Sequence, residues 1–269
     1  MWTLDQPIET SAGRVAAAVF GSGQPLVLAH GWPWSSYAWH RVAPALARRY
    51  RVHVYDMPGF GASQKQGPRH NDLATQSDVF AEMLTHWQLD APAVIAHDFG
   101  GAITLRAQLL AGVALGPWVL MNVVAMRLWG SDFFDYIGQH APVFGGLPPH
   151  IHAAIVGAYV DSALARPIAA QDRTALIAPW LDAEGQAAFY AQFALADEAL
   201  TAAFEPHLPS AHARVLWGTE RPWIPLARGT VLAEAIGTDL HPLDGLGHLP
   251  QLEAPDQVAG ALLTALEAA

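Results

Sequence analysis

Six short apolar runs rich in Val, Leu and Ile recur along the chain: "RVAAAVF", "PLVLAH", "YRVHVYD", "APAVIAHD", "PWVLMNVV" and "ARVLWG", each bounded by turn residues. Runs this short and this continuously apolar read as strands buried on both faces, which is the habit of parallel sheets. Between them, "WHRVAPALARRY", "DLATQSDVFAEMLTHW" and "ITLRAQLLAGV" space their apolar residues at helical intervals. Strand–helix alternation predicts an α/β fold, a mostly parallel sheet flanked by helices.

The alternation stops in the middle. From Met126 to Pro209 the chain is rich in Ala, Phe, Tyr, Trp, Pro and His, with helical stretches and no convincing strand. Strands resume at "ARVLWG", and an Ala- and Leu-rich helix starting about Pro255 ends the chain. The expected organisation is a core formed by 1–125 and 210–269, with an inserted helical cap over 126–209.

Composition narrows the function. With 52% hydrophobic and 14% charged residues, 269 residues can bury a sizeable core. A net charge of −10 disfavours a nucleic-acid partner, which needs a basic face, and points to a small or neutral ligand. The absence of cysteine removes disulfides, thiolate nucleophiles and Cys-based zinc sites. The two imidazoles of "PHIH" at 149–152 have no third ligand, so neither a metal nor any other cofactor is expected. "MWTLDQPIETSAG" has neither a basic start nor an apolar run, and no segment reaches membrane-spanning length. The expectation is a soluble, cytoplasmic protein without a membrane partner, whose state as a monomer or homodimer stays open.

The stretch "VIAHDFGGAITLR", 94–106, runs from a strand through Asp98 into two glycines and a helix, the pattern of a nucleophile elbow. An aspartate before a helix is also an ordinary N-cap. "HGWP" at 30–33, "DMPGFGAS" at 56–63 and "GLGHLPQLEAPDQV" at 245–258 accompany it in order. Together these motifs resemble the α/β-hydrolase superfamily, and the aspartate at the elbow resembles its branch of epoxide hydrolases and haloalkane dehalogenases.

The resemblance implies that Asp98 attacks a carbon to form an ester and that His248 activates the water that hydrolyses it. It makes the backbone N–H groups of Trp32 and Phe99 the oxyanion hole. His30 and His97 support their loops, while His30, Trp34 and Trp180 are also candidates for the substrate side. An epoxide needs an acid for its opening oxygen, for which the cap offers Tyr136, Tyr159 and Tyr190. Aromatic residues throughout the cap suggest a small apolar substrate.

The third member of the triad breaks the pattern. The family places an acid three residues past the glycine of "WGTERPW", where this chain has Arg221, or after the preceding core strand, where it has Asn122. Glu220, one residue early, is the expected partner of His248, and Asp244 is a weaker candidate. The leading expectation is a hydrolase that opens an epoxide. Trp32 and Phe99 stand where haloalkane dehalogenases often carry Asn and Trp, so dehalogenation ranks second. A lyase, isomerase or cyclase using Asp98 and His248 as a proton-transfer pair, or a binding module without turnover, are the remaining alternatives.

Overall fold

The computed structural model describes residues 2–127, 129–220 and 223–269. Eight strands form one sheet: β1 (Gln6–Thr10), β2 (Gly13–Gly21), β3 (Gln24–Ala29), β4 (Tyr50–Tyr55), β5 (Ala93–His97), β6 (Trp118–Met121), β7 (Arg214–Gly218) and β8 (Leu240–Leu243). Their order is β1-β2-β4-β3-β5-β6-β7-β8. β2 pairs antiparallel with both β1 and β4, and every pair from β4 to β8 is parallel.

Side-chain alternation along the strands divides the core in two. Leu26 and Leu28 of β3, and Ile95 of β5, face one helical layer with Trp39, Leu46 and Leu262. Val27, Ala29, Val94 and Ala96 face the other, with Phe80, Ile103 and Leu232. Both faces are covered, and that is why these strands read as continuous apolar runs.

The two edge strands were not expected from the sequence, and their burial explains it. β1 buries only Ile8, and β8, "LHPL", buries only Leu243. Neither carries the apolar density of a central strand. Among the described residues no strand falls between β6 and β7, where an inserted region is helical: Asp132–Gln139, Ala141–Gly145, Pro149–Ser162, Ala170–Ile177, Ala183–Ala194 and Glu198–Ala202. No helix of the described residues is long and apolar enough to cross a membrane.

Register positions the functional residues. Ala29 is opposite Ala96 and His97 opposite Met121, so His30, Asp98 and Asn122 all leave the sheet at the same carboxyl edge. In parallel α/β sheets this edge is where ligands bind.

Candidate active site

Asp98 occupies the turn between β5 and the helix Phe99–Ala111 with φ 52° and ψ −124°, a conformation costly for a residue with a Cβ. The glycines that follow allow it. A Cβ on Gly100 would lie 2.5 Å from the His30 carbonyl oxygen, and one on Gly101 would lie 2.3 Å from Val123. Asp98 makes no side-chain cap bond to its helix, so its carboxylate is free for other partners.

Those partners are the ones the motifs suggest. The Trp32 backbone N–H donates to Asp98 Oδ1 at 2.7 Å, and His248 Nε2 donates to Oδ2 at 2.9 Å. Burial works to raise the Asp98 pKa, but the hydrogen bond and charge of His248, with the Phe99 N–H, outweigh it and hold the carboxyl below its ordinary value. Asp98 is therefore ionised and pinned at both oxygens.

Ala163, His97, Glu253 and Asn122 hold the loop that carries His248. Its N–H donates to the Ala163 carbonyl at 2.9 Å, and its own carbonyl accepts from His97 Nε2 at 2.7 Å. Glu253 Oε2 accepts the Gly247 N–H at 2.9 Å. Asn122 donates Nδ2 to the carbonyls of both Gly247 and His248 at 3.1 Å, while its Oδ1 accepts the Gly218 N–H at 2.8 Å. Burial drives the His97 imidazole down to about 3, so it stays neutral and serves as a strut.

The acid expected to orient His248 is not there. Glu220 is exposed, and among the described residues it meets the site through its backbone N–H, bonded to Leu246 O at 2.9 Å. Asp244 is likewise exposed. Arg221 lies outside the described residues. His248 is fully buried, and its Nδ1 has no hydrogen-bond partner among the described residues. Glu220→Gln is accordingly expected to leave turnover within about twofold of wild type, since it changes an exposed group without a partner in the site.

Asn122 stands at the family's other acid position but braces backbone carbonyls instead of the imidazole. Replacing it with Asp would set a carboxylate against two carbonyl oxygens, taking the Asn122 donor from Gly247 O and leaving His248 O with His97 alone. Asn122→Asp is expected to lose about 1–3 kcal/mol of stability in denaturant unfolding and to give no gain in turnover.

A cavity of about 520 Å³ opens in front of the Asp98 carboxylate, walled by Trp32, Phe99, Phe134, Tyr159, Trp223 and Ile224 among others. Of the three tyrosines proposed as acids, Tyr159 alone lines it. Burial pushes its phenol above the ordinary value, and the Asp98 charge adds to this; the nearby Trp32 side chain opposes it. Tyr136 is 55% exposed, against His140 and Phe144. Tyr190 is buried with its hydroxyl on His152 Nδ1 at 3.0 Å. The spacing of cap tyrosines alone does not tell which helix face turns toward the core.

The other residues assigned to the substrate side are supports. His30 donates from Nδ1 to Gly31 O and accepts the Met57 N–H at Nε2, each at 3.0 Å, beneath the oxyanion loop. Trp180 is buried and donates Nε1 to Pro33 O at 2.9 Å. Trp34 is 1% exposed and does not reach the cavity. His152 of "PHIH" has both ring nitrogens engaged, by Tyr190 and the Trp180 carbonyl, so it has no lone pair for a metal. Sequence reasoning missed Trp223, which stacks on the His248 ring with centroids 5.2 Å apart and planes at 26°. Its only signal was its place two residues past Arg221.

Comparison with known proteins agrees with this architecture. The profile of the "Alpha/beta hydrolase family" matches residues 26–261. The solved structure of an α/β hydrolase fold protein from Burkholderia ambifaria is 39% identical, with a TM-score of 0.94 and 98% of each chain covered. A soluble epoxide hydrolase of Corynebacterium is 43% identical over 90 residues, which is 34% of this chain and 31% of that one. A pimeloyl-[acyl-carrier protein] methyl ester esterase of Aeromonas hydrophila is 44% identical over 70 residues, 26% of this chain and 28% of that one. The chain thus spans less than a third of the length of these two curated relatives.

Proposed function

This chain belongs to the α/β-hydrolase family, and on that premise we propose that it hydrolyses an epoxide of a small apolar substrate through an ester on Asp98. One observation carries the reading. An ionised aspartate stands at the elbow, with one oxygen on the Trp32 N–H and the other on His248, facing an apolar, aromatic-lined cavity that also holds the half-buried Tyr159 phenol.

In the first step Asp98 Oδ2 forms a bond to an epoxide carbon as that carbon's bond to the ring oxygen breaks, and the oxygen takes the Tyr159 proton. Oδ1 stays in the hole formed by the Trp32 and Phe99 N–H groups. In the second step His248 Nε2 takes a proton from water as the water oxygen attacks Cγ of the ester. The tetrahedral species is stabilised by the same hole. The Cγ–O bond to the alkyl group then breaks, the departing oxygen takes the proton from His248, and the water's second proton, left on the carboxyl, passes to the Tyr159 phenolate, so that Asp98 is again a carboxylate that keeps one oxygen from water.

A single turnover in ¹⁸O-water with a panel of aryl and alkyl epoxides tests this. Label in the Asp98 peptide supports the ester. Product formation without label would favour Asp98 and His248 as a proton-transfer pair and sink the hydrolytic reading.

A second reading, dehalogenation, is favoured by one feature. The Trp32 side chain lines the cavity wall, and its buried Nε1 lies beside the Tyr159 phenol without a well-formed hydrogen bond to it, so its N–H can turn to a leaving halide. Halide release from chloro- and bromoalkanes measures it directly.

The tyrosines separate the two reactions. Tyr159→Phe is expected to cut epoxide turnover about 10²- to 10⁴-fold by removing the general acid, and to affect halide release far less. Tyr136→Phe is expected to leave both intact. Tyr190→Phe should lower stability by about 1 kcal/mol through the lost bond to His152, read by thermal unfolding.

A further inference from the structure

The direct contact between Asp98 and His248 assigns the imidazole tautomer. Oδ2 is an acceptor, so the hydrogen between the two residues sits on Nε2, and in neutral His248 the buried Nδ1 is a bare lone pair. That tautomer suits the resting enzyme and does not suit the base. Once Asp98 is esterified, Nε2 must release its hydrogen to solvent and Nδ1 must carry the ring's own, so that Nε2 presents a lone pair, and the proton and positive charge it then gains have no carboxylate behind them. A histidine base that lacks its acid ordinarily loses orders of magnitude in rate.

What stands against the imidazole is an indole. Trp223 lies nearly parallel to His248 at 5.2 Å, and nearly parallel to Trp34 at 5.3 Å with an interplanar angle of 24°. Trp34 and His248 are themselves 6.3 Å apart, so both lie on the same side of Trp223, which spans them like a lid. The indole is held in place. Its Nε1 donates to Ser162 Oγ at 3.0 Å, and that hydroxyl donates to the Tyr159 carbonyl at 2.7 Å. The Tyr159 ring packs on Trp223 at 4.5 Å. An aromatic face attracts a cation, most strongly when water is excluded.

We propose that Trp223 is a positioning residue that takes the place of the missing triad acid, holding the His248 ring and favouring its protonated form through the indole face. This rests on the hydrolytic reading above. Among the described residues, the other titratable groups against His248 are Asp98, which is neutral once esterified, His97 and, through Gly247, Glu253; Tyr159 lies behind Trp223, and Glu220 faces solvent.

The test follows the mass of the intact protein through a single turnover with the same epoxide panel, in wild type, Trp223→Phe, Trp223→Leu and His248→Gln. Expected is formation of the adduct at near wild-type rate in both Trp223 variants. Its decay should slow about tenfold in Trp223→Leu, with most of the rate restored in Trp223→Phe. The acid limb of the decay rate should move to lower pH in Trp223→Leu, because the protonated imidazole is then less favoured. An unmoved limb, an unchanged decay, or equal slowing of formation and decay overturns the proposal, the last pointing to a packing role. No adduct in any variant, His248→Gln included, overturns the hydrolytic reading instead.

Discussion

Asp98→Ala is expected to abolish turnover, by on the order of 10⁴- to 10⁶-fold, the scale of loss when a nucleophile is removed, while the protein stays folded. Asp98 contributes little to packing: among the described residues its carboxylate bonds to the Trp32 N–H and His248, with the Phe99 N–H close by. Removing it also removes a desolvated charge. The backbone adds a control, because at φ 52° and ψ −124° an alanine keeps the Cβ strain and a glycine does not. Asp98→Gly should therefore be equally inactive and about 1 kcal/mol more stable than Asp98→Ala in denaturant unfolding. Substantial turnover by either folded variant would remove Asp98 from the nucleophile's role.

His248→Gln is expected to divide the reaction at its midpoint. Attack by Asp98 needs an ionised carboxylate, which the Trp32 and Phe99 amides still favour, whereas hydrolysis of the ester needs a base for water. The variant should become heavier by one substrate molecule and remain so, with steady turnover reduced by at least about 10³-fold. Intact-mass spectrometry reads the adduct, and digestion should place it on the peptide containing Asp98. Full turnover without a lasting adduct would show that His248 is not the base. Loss of both steps would favour direct proton transfer between the two residues.

Much of the fold was legible because burial leaves a mark in composition. The central strands are enclosed on both faces, so "PLVLAH" and "APAVIAHD" read as unbroken apolar runs, while β1 and β8, half in solvent, left no such mark. The elbow was legible for a related reason. Two glycines must follow Asp98 so that the helix can press against the His30 carbonyl and Val123, and that need is written in the chain.

The contacts of the site were less legible, since they depend on which atoms meet across large separations. Asn122 reaches the loop of His248 across more than a hundred residues, and Trp223 covers the ring whose acid is missing. Glu220 had the chemistry and nearly the spacing of that acid, yet it lies in a bend past the end of β7, with its side chain in solvent. By itself the sequence determined the alternating core, the elbow and the aspartate–histidine pair, since each is recorded in local periodicity or in a short motif. Only the tertiary structure decided that Tyr159 faces the cavity while Tyr136 and Tyr190 do not, and that an indole rather than a carboxylate backs His248. The first depends on the rotation and packing of the inserted helices and the second on how the loop after β7 folds across His248, and spacing along the chain encodes neither.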